Sequence, residues 1–284
     1  MTMLRNILGR VLKGFPPSSR FMAAAGLAIV STIALMAVLA PLISPYDPVA
    51  RVAPPYQPPS LEHPFGVNHV GYDVLSRIIW GSRVVLYIVV LSAVLSMGIG
   101  VPLGVVSGYY GGLLDRALST VMDSIYAFPS LVLAIAVAAV LGPSPLNVAI
   151  SLAVVYVPTY FRMVRSEALR LKNMLFIEAM RLLGYPGHHI MMSILRNSAQ
   201  TILVIFTLST ADAVLTEAAL GYLGLSITWP QPDWGLDLRS GQGEIINGYW
   251  WISMFPGFFI VLLSLGFALI GEALSDYFSV KTRE

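Results

Sequence analysis

Cysteine is absent from the 284 residues, which excludes disulfides, thiol nucleophiles and thiolate metal sites and leaves the redox compartment open. Charge is scarce as well. Only 11% of the residues are Asp, Glu, Lys or Arg, where a soluble protein carries about a quarter. No Gly-x-x-x-x-Gly-Lys phosphate loop occurs, so this chain does not itself present that nucleotide cradle. The four histidines, His63, His69, His188 and His189, lack His-Glu-x-x-His spacing and a carboxylate at helical distance, which argues against a zinc site. A net charge of +2 carries no signature of nucleic-acid binding.

What remains is apolar. Hydrophobic residues make up 56% of the chain and the mean hydropathy is +0.75, in long uncharged runs comparable to the ~20 residues needed to cross a bilayer. Six membrane helices are expected, in an all-α integral membrane fold. The first runs from Phe21 to Ile43, a retained helix rather than a signal peptide, since it is too long and no small-x-small cleavage site follows. The second runs from Val84 to about Val106, before the turn-forming stretch Ser107–Gly112. The charge-free stretch Ser124–Phe161 is too long for one helix and is broken by Gly142, Pro143, Ser144 and Pro145, giving spans Ala117–Leu141 and Leu146–Val164. Spans five and six are Ser198–Tyr222 and Trp251–Gly271. Pro102, Pro129, Pro158 and Pro256 fall within or at the ends of these spans, where neighbouring helices re-satisfy the backbone.

Basic residues are retained on the cytoplasmic side. With the N-terminus inside, that side collects thirteen (Arg5, Arg10, Lys13, Arg20, Arg116, Arg162, Arg165, Arg170, Lys172, Arg181, Arg196, Lys281, Arg283) against four outside (Arg51, Arg77, Arg83, Arg239). Both termini are therefore expected in the cytoplasm of a multi-pass plasma or inner membrane protein. The chain divides into a tail and first helix (1–43), a proline-rich outer loop (44–83) and a core of five helices (84–284). A second outer loop, Leu225–Tyr249, combines Trp229, Pro230, Gln231, Pro232, Asp233 and Trp234.

The inner loop between spans four and five has helical periodicity over Ser166–Leu183, with Leu171, Leu175, Ala179, Leu182 and Leu183 on one face. Charged Glu167, Arg170, Lys172, Glu178 and Arg181 fill much of the rest. Gly184, Tyr185, Pro186 and Gly187 stop that helix, and a shorter one follows over about His188–Leu195. Such a pair either lies on the membrane surface or plugs into a soluble partner's cleft. Glycines at 98, 100, 104, 221 and 224 let helices approach closely. Ionisable residues inside the membrane mark function by default, which singles out Asp123, Asp212 and Glu217. Asp123 lies near the inner end of its span and reaches water; Asp212 belongs either to a translocation path or to a structural hydrogen bond with a partner.

The run Glu178, Ala179, Met180, then Gly184, then Ile194 resembles the EAA loop of membrane subunits of binding-protein-dependent ABC importers, with Met180 for the second alanine and Arg196-Asn197 where Leu-Pro is usual. Other stretches look like the dipeptide, oligopeptide and nickel branch of that family, second-permease type. They are His63–Gly66 leading to Gly71–Arg77, Gly108–Gly112 with Asp115, Pro129, Glu217–Leu225, Pro232–Gly235, Trp250-Trp251 before Phe255–Gly257, and Gly271–Asp276. They follow the family's order from about residue 20 to the end. The resemblance implies a type I ABC importer permease fold whose EAA loop (about 166–196) couples to ATPase subunits through Glu178, Ala179, Gly184 and Ile194. It also implies a heterodimer with a paralogous permease, one or two cytoplasmic ATPases that bind ATP and Mg, an extracytoplasmic solute-binding protein, and no catalysis or cofactor in this chain. Glu217 would then be structural or gating. A proton-coupled secondary transporter is the alternative, though the internal hydropathy repeat expected of one is not visible. A membrane enzyme would need convergent catalytic side chains, and none stands out.

Overall fold

The computed structural model describes residues 17–281; Arg5, Arg10, Lys13 and Arg283, used for the charge bias, lie outside them. The described residues form ten helices: α1 (Pro17–Ile43), α2 (Val74–Tyr110), α3 (Gly112–Tyr126), α4 (Ser130–Leu141), α5 (Pro145–Leu171), α6 (Leu175–Leu182), α7 (Gly187–Asn197), α8 (Ala199–Tyr222), α9 (Trp234–Gln242) and α10 (Trp251–Lys281). Five of them, α1, α2, α5, α8 and α10, are long and apolar enough to cross a membrane, and a sixth span results if α3 and α4 count as one.

The bundle has two ends. One, the loop end, carries residues 44–73 and 223–250; the other, the basic end, carries α6 and α7. Helix α2 runs the full distance between them. Its 37 residues rise about 55 Å, well beyond the ~30 Å hydrocarbon core. The helix begins at Val74 rather than Val84, because Asp73 caps it: its carboxylate accepts the Ser76 backbone N–H at 2.7 Å. The charges at Arg77 and Arg83 interrupt the apolar run without interrupting the helix.

Helix α2 lies against α5 along a stripe of small residues four apart, Ser92, Ser96, Gly100, Gly104 and Gly108, all buried. A Cβ at Gly104 would sit 2.8 Å from the Phe161 carbonyl oxygen, and one at Gly100 2.6 Å from that of Val157. Ser96 donates both to Ser92 O at 2.7 Å and across the seam to Ala153 O at 3.2 Å. Close backbone approach through small residues is how helices associate where lipid removes the hydrophobic drive. Gly98 takes no part in it, since it faces outward with nothing within 4 Å of a Cβ. At the opposite side α1 crosses α10 at a second tight point, where a Cβ on Gly26 would lie 2.7 Å from the Gly266 carbonyl oxygen.

The third span is not one helix. Helices α3 and α4 are bent by 89° at Ala127–Pro129, because proline cannot donate to the preceding turn and pushes the residue before it out of the helical region. The fourth span also extends further than its apolar run, to Leu171. The chain then turns before α6, so the single inner helix expected over Ser166–Leu183 is two.

Candidate functional site

At the basic end, α6 is closed by a left-handed glycine. Gly184 has φ +77°, its N–H bonds to Arg181 O at 3.0 Å, and the Tyr185 N–H reaches back to Met180 O at 3.0 Å; this pair of bonds is a Schellman cap. Pro186 then opens α7. Ile177, Ile190 and Ile194 are fully or almost fully buried and seat the pair on the bundle's core. The face marked by periodicity behaves otherwise: Leu171 is buried, but Leu175, Leu182 and Leu183 are 83%, 84% and 76% exposed. Glu178, Ala179 and Gly184 are exposed beside them, and Glu178 has no ion pair among the described residues. Ile194 is a packing residue that holds the loop from beneath. The loop is tied to α2 by Lys172, whose ammonium donates to Gly108 O at 2.9 Å, and by Arg181, which lies over the Tyr109 ring at 5.9 Å. Asp115 pairs with Arg165 at 2.5 Å and Asp123 with Arg162 at 2.7 Å, joining α3 to α5 at the same end.

Midway through the bundle, Asp212 on α8 accepts the Tyr156 hydroxyl at 2.7 Å. Its partner is therefore inside its own chain. The carboxylate stays accessible and lines a cavity of about 300 Å³ with Tyr126, Phe128, Ser130, Tyr156 and Thr159. The bend between α3 and α4 forms one wall of this cavity. Thr216 stands 3.1 Å from the same tyrosine hydroxyl, and Tyr160 bonds Ser209 at 2.8 Å, so a polar strip runs along the facing sides of α5 and α8. Glu217 is not part of it. That side chain is fully buried, accepts the Ser226 hydroxyl at 3.1 Å, and joins α8 to the turn ahead of α9.

The loop end holds a densely bonded charged group that spacing alone does not reveal. The Arg77 side chain, 2% exposed, meets Asp237 at 2.7 Å and donates to the carbonyls of Pro48, Pro230 and Gln231. Trp229 stacks over its guanidinium at 4.6 Å. Burial pushes the Asp237 carboxyl up from its ordinary value, and the Arg77 charge opposes that shift. Around this pair, His63 Nδ1 lies 2.9 Å from Asp73, Trp234 donates to Ile78 O at 3.0 Å, and Trp251 donates to Val67 O at 3.1 Å. One guanidinium thus fastens both segments of the loop end to the first turn of α2. The stretches His63–Gly66, Gly71–Arg77, Pro232–Gly235 and Trp250–Trp251, far apart in sequence, converge here.

Residues 100–284 match the family of binding-protein-dependent transport system inner membrane components, and residues 20–59 match the N-terminal transmembrane domain of oligopeptide transport permease C. A dipeptide transport system permease of Alkalihalophilus pseudofirmus is 39% identical over 268 residues, covering 92% of this chain and 86% of that protein. A probable D,D-dipeptide transport system permease of Escherichia coli is 35% identical over 256 residues (89% and 85%). A glutathione transport system permease of Pectobacterium atrosepticum is 35% identical over 226 residues (79% and 75%).

Removing one partner of a buried ion pair costs about 3–5 kcal/mol, whereas replacing both with apolar groups is often neutral. Arg77→Met is therefore expected to lower the thermal midpoint of the purified protein and to expose 44–73 and 223–250 to protease. Arg77→Met with Asp237→Leu regains the part of the loss that comes from the unpaired carboxylate, while the carbonyls of Pro48, Pro230 and Gln231 stay without their donor. A single variant as stable and protease-resistant as the parent would show that the pair does not hold these segments.

Proposed function

We infer the working of this chain from the family to which it belongs, the inner membrane components of binding-protein-dependent transport systems: it is a multi-pass permease subunit of an ABC importer. Its relatives serve dipeptide, D,D-dipeptide and glutathione systems, so its solute is a short peptide or a similar amide-bearing molecule. The chain pairs with a paralogous permease to enclose the path. ATP and Mg are bound by one or two separate ATPase subunits, and a solute-binding protein delivers cargo to the loop end. The basic end faces the cytoplasm, in line with the excess of Lys and Arg there.

The observation that carries the coupling role is the apolar surface of α6. Leu175, Leu182 and Leu183 stand exposed around a rigid, capped elbow whose other side is anchored by three buried isoleucines. An exposed apolar patch on an anchored element suits insertion into a partner's groove. Closure of two ATPase subunits is a rigid-body motion, and a packed element passes such a motion on with little deformation. Asp212 and the polar strip beside it face the path, with Tyr156 holding the carboxylate in place. Glu217 has a structural role at the outer end of α8.

Nothing lies within 4 Å of a Cβ placed on Gly184, so a side chain there clashes with nothing in this chain and instead projects from the elbow. Its left-handed backbone also costs a non-glycine residue roughly 1 kcal/mol or more. In the assembled transporter, Gly184→Trp should abolish substrate-stimulated ATP hydrolysis, while Gly184→Asn, which tolerates that backbone, and Asn173→Ala keep it. Full stimulation in the tryptophan variant would remove the coupling role.

Asp212→Asn preserves an acceptor for the Tyr156 hydroxyl and removes the charge. Assembly and thermal stability should hold while solute uptake into proteoliposomes falls. Uptake equal to the parent's would make Asp212 a structural group only.

A further inference from the structure

Three surface depressions at the loop end share one side chain, Arg83. The most apolar of them, a groove of about 610 Å³, runs between α1 and α2 from Arg83 past Ala34, Val38 and Tyr87 to Val94. Arg83 is exposed and appears in no hydrogen bond or ion pair among the described residues; its one described contact is the Trp80 ring, 5.2 Å away. Neighbouring arginines are committed elsewhere, Arg51 to Val70 O at 2.8 Å and Arg77 to Asp237. Asp47 lines the adjoining cavity rather than the groove, and its carboxylate accepts the Val49 N–H at 2.9 Å.

The depth of the groove identifies what fills it. Val94 follows Arg83 by eleven positions on one continuous helix, a rise of about 16 Å, close to half of the ~30 Å hydrocarbon core. Trp80 and Tyr87 flank Arg83 by one turn on either side, as aromatic residues do at the level of lipid headgroups. An uncommitted guanidinium at that level, with an apolar groove one leaflet deep beneath it, matches a phosphodiester headgroup joined to an acyl chain. The guanidinium's planar fork pairs with two phosphate oxygens at once.

We propose that Arg83 and the α1–α2 groove form a binding site for one anionic phospholipid in the leaflet at the loop end, its phosphate on Arg83 and an acyl chain lying between α1 and α2 as far as Val94. The lipid would fill the seam between the first helix and the core. The site requires only that these helices span the membrane and does not depend on the coupling role of α6.

The test is native mass spectrometry of the full chain, delipidated in detergent and titrated with phosphatidylglycerol or phosphatidylcholine. The parent should retain one phosphatidylglycerol in preference to phosphatidylcholine. Loss of one basic contact to an anionic headgroup should lower that retention about fivefold in Arg83→Gln, with the thermal midpoint in lipid-free detergent unchanged. Val38→Trp, which leaves Arg83 in place and fills the groove, should lower it as well, and millimolar inorganic phosphate should not displace the lipid. Retention unchanged in Arg83→Gln, or no preference between the two lipids, overturns the site. Displacement by phosphate with Val38→Trp unaffected would make it a free-anion site. A cross-link from Val38→Cys to another membrane protein would make the groove a protein interface.

Discussion

Helices α2 and α5 meet along five small side chains spaced four residues apart, Ser92 to Gly108, and the backbones come close enough that a single added carbon would strike a carbonyl. Lipid offers no hydrophobic gain for bringing two apolar helices together, so association depends on dispersion, on a few hydrogen bonds and on how near the backbones can come. That seam fixes α2, which reaches both the loop end and the basic end. At one extremity its first turn carries Arg77, which gathers segments 44–73 and 223–250. At the other, Gly108 O receives Lys172 and Tyr109 lies under Arg181, so the loop of α6 and α7 hangs from the same helix. The loop-end cap and the α6–α7 loop are both attached to this packed helix.

This arrangement gives a physical basis for a permease that must answer events on both membrane faces. A charge as deeply buried as Arg77 is tolerated because an acid and several carbonyls surround it, and the result is a cap of defined shape. At the basic end the anchoring isoleucines and the Schellman cap make α6 stiff, while its leucines stand exposed. Between the two, Asp212 keeps one oxygen on Tyr156 and remains open to the cavity under the α3–α4 bend. A carboxylate within the bilayer is costly unless bonded or hydrated, and here it is bonded on one side and accessible on the other.

Much of this was readable from the residues. Uncharged runs located the spans, the Gly142–Pro145 cluster marked the break before α5, and Gly184 marked the end of α6, because hydropathy and glycine-proline punctuation are local signals. What the residues do not announce is non-local or two-sided. Arg77 and Asp237 are 160 positions apart, and nothing in either neighbourhood announces the other. The bend at Pro129 is hidden because α4 is apolar after Ser130, so hydropathy runs through it unbroken. Periodicity found the leucine face of α6 but could not say whether it packs inward or waits for a partner; Ile177 is the residue that packs. Gly98 looked like its neighbours Gly100 and Gly104, yet it lies off the four-residue stripe.

In the proposed transporter the two ends face opposite compartments, the Arg77 cap outside and the α6–α7 loop in the cytoplasm. The absence of native cysteine makes single-cysteine accessibility a direct measurement. In intact cells a membrane-impermeant maleimide should label Gln57→Cys and Gln242→Cys, and should reach Asn173→Cys only after permeabilisation. Labelling of Asn173→Cys in intact cells would place the loop on the wrong side of the membrane from any ATPase and would contradict the account.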